Sequence, residues 1–359
     1  MTQPDIKLIV QGVQYTGWET VTVRRSMESL ADAFTLTYVD RWLRQGQEQP
    51  IAEGQLCTIT VDGQEILDGF VDEAGGKEDG DSDQLTAVGR SAAGDLIDCS
   101  AIHSGGQWAN ATIVQIASDL LSPFGLSVRV QSGLVLSTPL VGFSLEEGET
   151  VASALDRMAR MQGVLVCSDP GGDIVITRAG ATRATTVIRR GVNVLASRRQ
   201  GSWRERYSQY IVKAQSAATG GVFGAQASQR KAVATDPTVS RYRPLVVVSE
   251  DASSLSVSTR ANWQRNVRAG RSVRWHYTLS GWKDTASPWA PNVLVHVTDE
   301  RWSIDADLLL VSATFTRTGD GEGTTTELEL CDPLAFDVAQ PPSKLPKKRR
   351  TKAVTKLGK

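Results

Sequence analysis

Cysteine is scarce and scattered. Cys57, Cys99, Cys167 and Cys331 stand far apart and make no CxxC pair, so the spacing of a thiolate zinc site is missing and no disulfide framework is written into the chain. Three of them fall in apolar, strand-like runs (LCTITV, VLVCS, LELCD), which predicts reduced thiols acting as small hydrophobes. Histidine is scarcer still: His103, His276 and His296, the last two inside strand patterns (VRWHYTL, VLVHVTD). No apolar run approaches the ~18–20 residues that cross a bilayer as a helix, so no membrane insertion by this chain is expected. The opening, MTQPDIKLIVQG, carries Asp5 and has neither a basic n-region nor an apolar h-region, which predicts no secretory leader. GxSxG, HExxH, GxxxxGK[ST] and GxGxxG do not occur in a usable setting. No catalytic residue, cofactor or metal is expected from motifs.

What the chain does have is ordinary globular material: 359 residues, 40% hydrophobic and 22% charged, enough for two or three domains. Its charge is unevenly placed. The total is −1, yet the last stretch, PPSKLPKKRRTKAVTKLGK, holds eight Lys/Arg and no acid. An acidic body with a basic, proline-started arm is the result.

Residues 6–90 read as all-β. TVTVRRS and AFTLTYVD alternate at period two, and LCTITVDGQEILDGFVDEA joins two β-branched runs through Asp62–Gly63, a pair that favours tight hairpins because both central residues need positive φ. Residues 91–180 change character. Asn110 is placed to cap a helix with Ile113, Ile116, Ala117, Leu120 and Leu121 on one face, and Thr150 to cap a second with Val151, Ala154, Leu155, Met158 and Ala159, stopped by Gly163. Residues 181–250 return to strands, with alternation from Tyr207 to Val212, and 255–269 form a helix ended by Gly270. The rest is β again, and here a repeat shows. Residues 56–90 can be laid beside 293–332: an alternating strand, an acidic turn, a second strand pair, an acid- and glycine-rich tip and a closing strand. The fold expected is mixed but mainly β. It has two related β-barrels, at 1–92 and at 181–220 with 271–340, an α+β unit at 93–180, a helix-containing insertion at 221–270 and a basic tail at 341–359.

Two groups of residues look chemical. VGRSAAGDLIDCSAIHSGGQW brings Asp95, Asp98, Cys99 and His103 together, and SLEEGET offers Glu146, Glu147 and Glu149. Nucleophilic catalysis needs a third orienting group, which the first stretch lacks. The second directly precedes a helix, where acids favour the positive N-terminal end. A third group suits interfaces. Among nine tryptophans, Trp18, Trp108, Trp203, Trp282 and Trp289 stand near turns or strand ends, as core residues or, for Trp18, Trp108, Trp282 and Trp289 above all, as anchors for a partner. Arg260, Arg265 and Arg268 give the helix at 255–269 a basic side, and Lys347, Lys348, Arg349 and Arg350 make the core of the tail.

A collinear likeness runs from about Thr16 to Pro333. VGRSAAGDLIDCSAIHSGGQWANATIVQIASDLLSPFGLSVRV, FSLEEGETVASALDRMARMQGVLVCSDPGGDIVITRAG, ATDPTVSRYRPLVVV, SGWKDTASPWAPNVLVHVTD and DLLLVSATFTR resemble the Mu-like phage baseplate hub proteins. More distantly they are similar to the hubs of T-even phages, the late-control protein of P2-like phages and the base of type VI secretion spikes. The resemblance implies a non-enzymatic homotrimer with two barrel ("tube") domains per subunit, giving a pseudo-six-fold ring. It implies tail tube protein above and a trimeric membrane-piercing spike below, with tape-measure and other baseplate proteins as further partners, in the virion tail baseplate of a contractile tail assembled in the host bacterial cytoplasm. It recasts the Cys99–His103 stretch as a domain junction. The tail falls outside it and is left as a docking arm for the spike or a neighbour, a DNA contact or a solvated extension. The competing readings are a peptidoglycan hydrolase with a cryptic carboxylate pair and a DNA-contacting tail module.

Overall fold

The computed structural model describes residues 5–16, 18–39, 51–78, 83–136, 139–180, 182–214, 230–249, 257–285, 287–319 and 323–338. The first β region holds β1 (Ile6–Val10), β2 (Val13–Tyr15), β3 (Thr20–Ser26), β4 (Ala33–Val39), β5 (Leu56–Val61), β6 (Gln64–Glu78) and β7 (Asp83–Ser91). All pair antiparallel in the order β2-β1-β5-β6-β7-β4-β3. The period-two pattern sets which face is buried: Val21 and Val23 of β3 and Cys57, Ile59 and Val61 of β5 point into the core. Asp62 and Gly63 take φ of 50° and 78°, the left-handed pair that a two-residue hairpin requires.

The α+β unit follows with α1 (Gly94–Asp98), β8 (Gln107–Ala111), α2 (Ile113–Leu121), β9 (Val128–Val130), β10 (Leu140–Ser144), α3 (Val151–Gln162), β11 (Leu165–Ser168) and β12 (Ile174–Thr177). Both apolar stripes are buried as expected, and Ile116, Leu120, Ala154, Leu155 and Met158 make the centre of a second core. Thr150 caps α3 by accepting from Ser153 N, and Gly163 ends it at φ 65°. The cap of α2 is not Asn110, which sits in β8 at φ 53°. It is Thr112, which accepts from Gln115 N while the Gln115 side chain answers the Thr112 backbone. This reciprocal capping box satisfies two orphan donors at once.

The remainder comprises β13 (Thr182–Arg183), β14 (Ile188–Arg189), β15 (Val194–Gly201), β16 (Gln209–Ala214), β17 (Arg230–Thr235), β18 (Pro244–Ser249), α4 (Val257–Arg271), β19 (Val273–Ser280), β20 (Lys283–Asp284), β21 (Ser287–Pro288), β22 (Val293–Asp299), β23 (Ile304–Thr318) and β24 (Gly323–Cys331). β16, expected in the second barrel, pairs instead with β17 and β18 in a separate three-stranded sheet. Its inward residues Tyr210 and Val212 need an apolar lid, and Ala261 of α4 joins Ala234 in giving it. The helix α4 runs one residue beyond Gly270. Gly270 is required for closeness instead: a Cβ there would lie 2.4 Å from Ala335 N.

The two β regions do not stand apart. β3 pairs antiparallel with β23, Thr20–Ser26 against Ser312–Thr318. The result is one fourteen-stranded sheet whose main path is β15-β19-β24-β23-β3-β4-β7-β6-β5-β1-β2. One core runs beneath both halves, with Val21, Val23, Leu36 and Ile59 beside Tyr277, Val297, Phe315 and Leu328.

The repeat is physical. β6 and β23 are both fifteen residues long, and β7 and β24 both nine. Each long strand carries a β-bulge against its nine-residue neighbour, within one position of the same place, and β6 has a second at Ile66 against β5. Val71 faces Gly89 and Glu73 faces Val88, with one residue skipped; Leu310 faces Leu330 and Ser312 faces Glu329, with one skipped. Cys57, Ile59 and Val61 of β5 correspond to Val295, Val297 and Asp299 of β22, all buried. Next outward, Phe34 and Leu36 of β4 correspond to Trp275 and Tyr277 of β19, and then Val21 and Val23 of β3 to Ser197 and Arg199 of β15.

Candidate assembly interface

The residues singled out in the sequence separate by burial. Trp18, Trp282 and Trp289 are only 2–3% exposed and belong to the large core. They cannot anchor a partner without unfolding the sheet, so the interface reading fails for them. Trp282 donates Nε1–H to Thr316 O at 3.1 Å and tilts over Phe315: an indole whose polar edge is satisfied inside the chain. Trp108 is half-buried, stacks on His103 at 4.1 Å and donates to Asp119 at 2.8 Å. Arg260, Arg265 and Arg268 are half-buried on α4. Arg268 reaches Glu205 at 2.5 Å and Arg265 binds Asn266, so these arginines hold the small sheet's own surroundings. Lys347, Lys348, Arg349 and Arg350 lie outside the described residues.

The two chemical-looking groups take structural work. Cys99 is exposed, and its backbone N–H closes α1 onto Asp95 O while its carbonyl accepts from Val151 N. His103 is occupied by its stack on Trp108. Glu149 accepts from Glu146 N at 2.7 Å and from Arg157 at 2.5 Å, and Arg157 lies over the Phe143 ring. The acids thus brace the entry of α3. Burial pushes the thiols of Cys57, Cys167 and Cys331 up to about 12, which leaves them protonated and unreactive at neutral pH.

Polar contacts lock the units together. Arg25 Nε donates to Asp32 at 2.9 Å with both side chains buried, Ser26 N donates to the other carboxylate oxygen at 3.2 Å, and Asp32 N donates to Ser91 Oγ. Burial pushes the Asp32 carboxyl above its usual range, and the Arg25 guanidinium pulls it back. Asn292 ties the α+β unit to the second β region: it accepts from Gly180 N and donates to Thr177 Oγ1 and Arg178 O. Arg274 bridges Glu28 at 2.5 Å, and Lys283 reaches Asp62 at 2.6 Å. Both ion pairs span the two β regions that β3 and β23 join.

Two stretches of sheet edge remain. Among the described residues β15 pairs only with β19, and Leu195, Ala196 and Arg198–Gly201 are exposed. Beside it lies a cleft of about 700 Å³ lined by Arg189, Arg190, Ser197, Glu300 and Arg301. Arg199 and Arg301 both lie over the Trp302 ring. The second stretch is the outer half of β6. β6 pairs with β5 only as far as Phe70, so among the described residues Glu73–Glu78 are laddered on one side alone. A small cleft of about 220 Å³ opens there between Ile51–Glu53 and Ala74–Gly76. Sequence reasoning missed both edges. The available signal was the pair of arginine doublets at 189–190 and 198–199, set against six acids within residues 72–83.

Residues 93–178 match the family described as baseplate hub protein gp44-like, second domain. Residues 5–91 match the N-terminal domain of the Mu phage baseplate assembly protein GpP-like family, 253–339 the fourth domain of GpP, and 206–263 the third domain of NMB1110-like tail proteins. The baseplate hub protein gp44 of Escherichia phage Mu is 33% identical over 345 residues, covering 92% of this chain and 88% of that protein. The chain belongs to the Mu-like phage baseplate hub family. A solved relative, the 43 kDa tail protein of prophage MuSo2 from Shewanella oneidensis, is 34% identical with a TM-score of 0.82 over 93% of this chain and all of that one. A tail protein from Neisseria meningitidis shares the fold at 24% identity, with a TM-score of 0.78 over 95% of this chain and all of that one. This hub is a structural component of the virion tail and not an enzyme. None of its described helices is long and apolar enough to cross a membrane.

Proposed function

We propose that this hub acts as a symmetry adaptor: three copies form a ring that presents six similar β units to the six-fold tail tube and a three-fold face to the trimeric membrane-piercing spike. The observation that carries the reading is the duplicated strand set, β3–β7 and β15 with β19 and β22–β24, alike in strand order, in the lengths of the long strand pair and in the bulge between that pair, and fused into one sheet. A trimer meets a hexamer on near-equivalent terms when each chain offers the same unit twice. The division of labour follows: the large sheet makes the ring, from 1–92 and from 181–220 with 271–340, less β16. The α+β unit at 93–180 and the small sheet with α4 are carried on it. The arm at 341–359, rich in Lys and Arg, docks onto the spike or a neighbouring baseplate protein. The mechanism is mechanical: the hub caps the tube and passes the load of contraction to the spike.

Native mass measurement of the full 38.8 kDa chain, alone and mixed with its tube and spike proteins, tests the reading. A species with three copies is expected. A chain that stays monomeric in every mixture, or closes with six copies, contradicts it. Deleting residues 341–359 is expected to leave three copies intact and to weaken capture of the spike. Unchanged spike capture with lost DNA retention would transfer the arm to a DNA role.

A further inference from the structure

The internal joint contains its own blueprint for an external one. In the joint, Val23 of β3 faces Phe315 of β23. The ladders fix the counterparts of both. Val23 pairs Phe34, which pairs Gly89, which faces Val71; Arg199 pairs Trp275, which pairs Leu330, which faces Leu310. Arg199 therefore stands where Val23 does, and Gly76, five residues beyond Val71, stands where Phe315 does, five beyond Leu310. We infer that β15 of one copy pairs antiparallel with the outer half of β6 of a second copy, Ser197–Ser202 against Glu78–Glu73, with Arg199 opposite Gly76. The inference rests on the ring reading above and names the joint that closes it.

Three observations favour a second copy as the occupant. First, the two edges are complementary parts of one molecule. A strand edge is a template for another strand, and the same pairing is already made once inside the chain. A head-to-tail contact of this kind alternates with the internal joint and closes into a ring. Second, the charges match. β15 carries Arg198 and Arg199 beside Arg189, Arg190 and Arg301, while residues 72–83 hold six acids and one lysine. Third, the side chains leave room. Where the internal joint fills its inner face with Val21, Val23, Ala313 and Phe315, the external one brings Ser197 and Arg199 against Ala74 and Gly76. Gly76 opposes the long guanidinium, with Glu78 two residues along on the same face of the strand. The one like-charged facing, Arg198 against Lys77, is offset by Glu327, 3.9 Å from Arg198.

The chemistry differs from the internal joint for a physical reason. An apolar edge on the free chain would aggregate. A charged one stays soluble until a matching partner is present, and gains its selectivity from a basic edge meeting an acid-rich stretch.

Cysteine cross-linking reads the register. In the full chain carrying Cys99→Ala, Gln200→Cys combined with Gly75→Cys places two thiols directly opposite across the joint. A Cβ at Gly75 meets nothing within 4 Å, and Gln200 is exposed, so neither change disturbs the fold. Mild oxidation of the purified chain, and of assembled particles, is expected to give a covalent three-chain ring. Arg198→Cys with Glu73→Cys, four residues out of register, is expected to give none, because disulfides do not span Cα separations beyond about 7 Å. Arg199→Glu in the wild-type chain is expected to weaken association about tenfold or more with an unchanged melting profile. If three copies form while the in-register pair fails, or the out-of-register pair links equally well, the joint is wrong and the ring reading stands. If no three-copy species forms in solution or in particles, the ring reading falls and this joint with it.

Discussion

The two β regions share strand order, the lengths of their two longest strands and a bulge between those strands, yet the matching faces of β3 and β15 carry opposite chemistry. β3 presents Val21 and Val23, and with Ala313 and Phe315 they vanish into a core that both regions share. β15 presents Ser197 and Arg199 at the same positions and stays exposed. Topology has been copied while burial has not. One copy of the edge is spent on welding the chain into a rigid double unit, and the other is kept wet and charged. The same backbone geometry serves a buried joint in one region and an exposed edge in the other, and a few side chains choose between them.

Substitutions at the welded joint break this comparison most severely. Val23→Arg puts an uncompensated charge where the native side chain is fully buried and is expected to yield insoluble chain, whereas Arg199→Val at the matching position leaves the monomer folded; soluble yield and melting curves read the contrast. Phe315→Ala is expected to cost about 3–5 kcal/mol in denaturant titration, through lost burial and the cavity left behind. Arg25→Ala removes the partner of buried Asp32 and is expected to cost about 3–5 kcal/mol, with Asp32→Asn partly rescuing it; the double variant separates an orphaned charge from lost packing.

The small sheet gives a pH-dependent contrast. Burial tends to raise the Asp236 carboxyl, but hydrogen bonds from Arg206 and Thr238 outweigh it and hold the group below the usual carboxylate range. A depressed folded-state value means that the contribution is complete above the unfolded value near 4 and is lost as pH falls through the folded one. Amide exchange in β16–β18 is expected to accelerate below about pH 4 while β6–β7 and β23–β24 stay protected, and Asp236→Asn should flatten that dependence. Smallest of all is Cys99→Ala. The side chain is exposed and its turn is held by backbone atoms, so stability should move by no more than about 0.5 kcal/mol and particle infectivity should be unchanged. Loss of infectivity with normal assembly would return a chemical role to the thiol.

Much of this was legible in the chain. The Asp62–Gly63 hairpin, both apolar helix stripes and the Thr150 cap follow from local chemistry, and the repeat shows through its acid- and glycine-rich tips. The Thr112 cap was legible too, as Thr followed three residues later by Gln, but Asn110 has the higher intrinsic cap preference and competed for the assignment. What stayed hidden was pairing at a distance. Alternation in β16 declares a strand without naming its sheet, and nothing in TVTVRRS tells that its neighbour lies nearly three hundred residues downstream. The tryptophans misled for a related reason: residues at strand ends look peripheral until the strands are closed over them. The free edges were missed because an edge is defined by what does not pair with it.

In the proposed ring one chain supplies two of six matched units. A three-dimensional reconstruction of the tail tip, with this chain located in it, tests that claim most directly. Three copies of the hub are expected, with six β units at near-equal spacing beneath the tube and β15 of each copy laddered to β6 of the next. Six copies in the ring, or three copies touching only through their α+β units with β15 left bare, would contradict it.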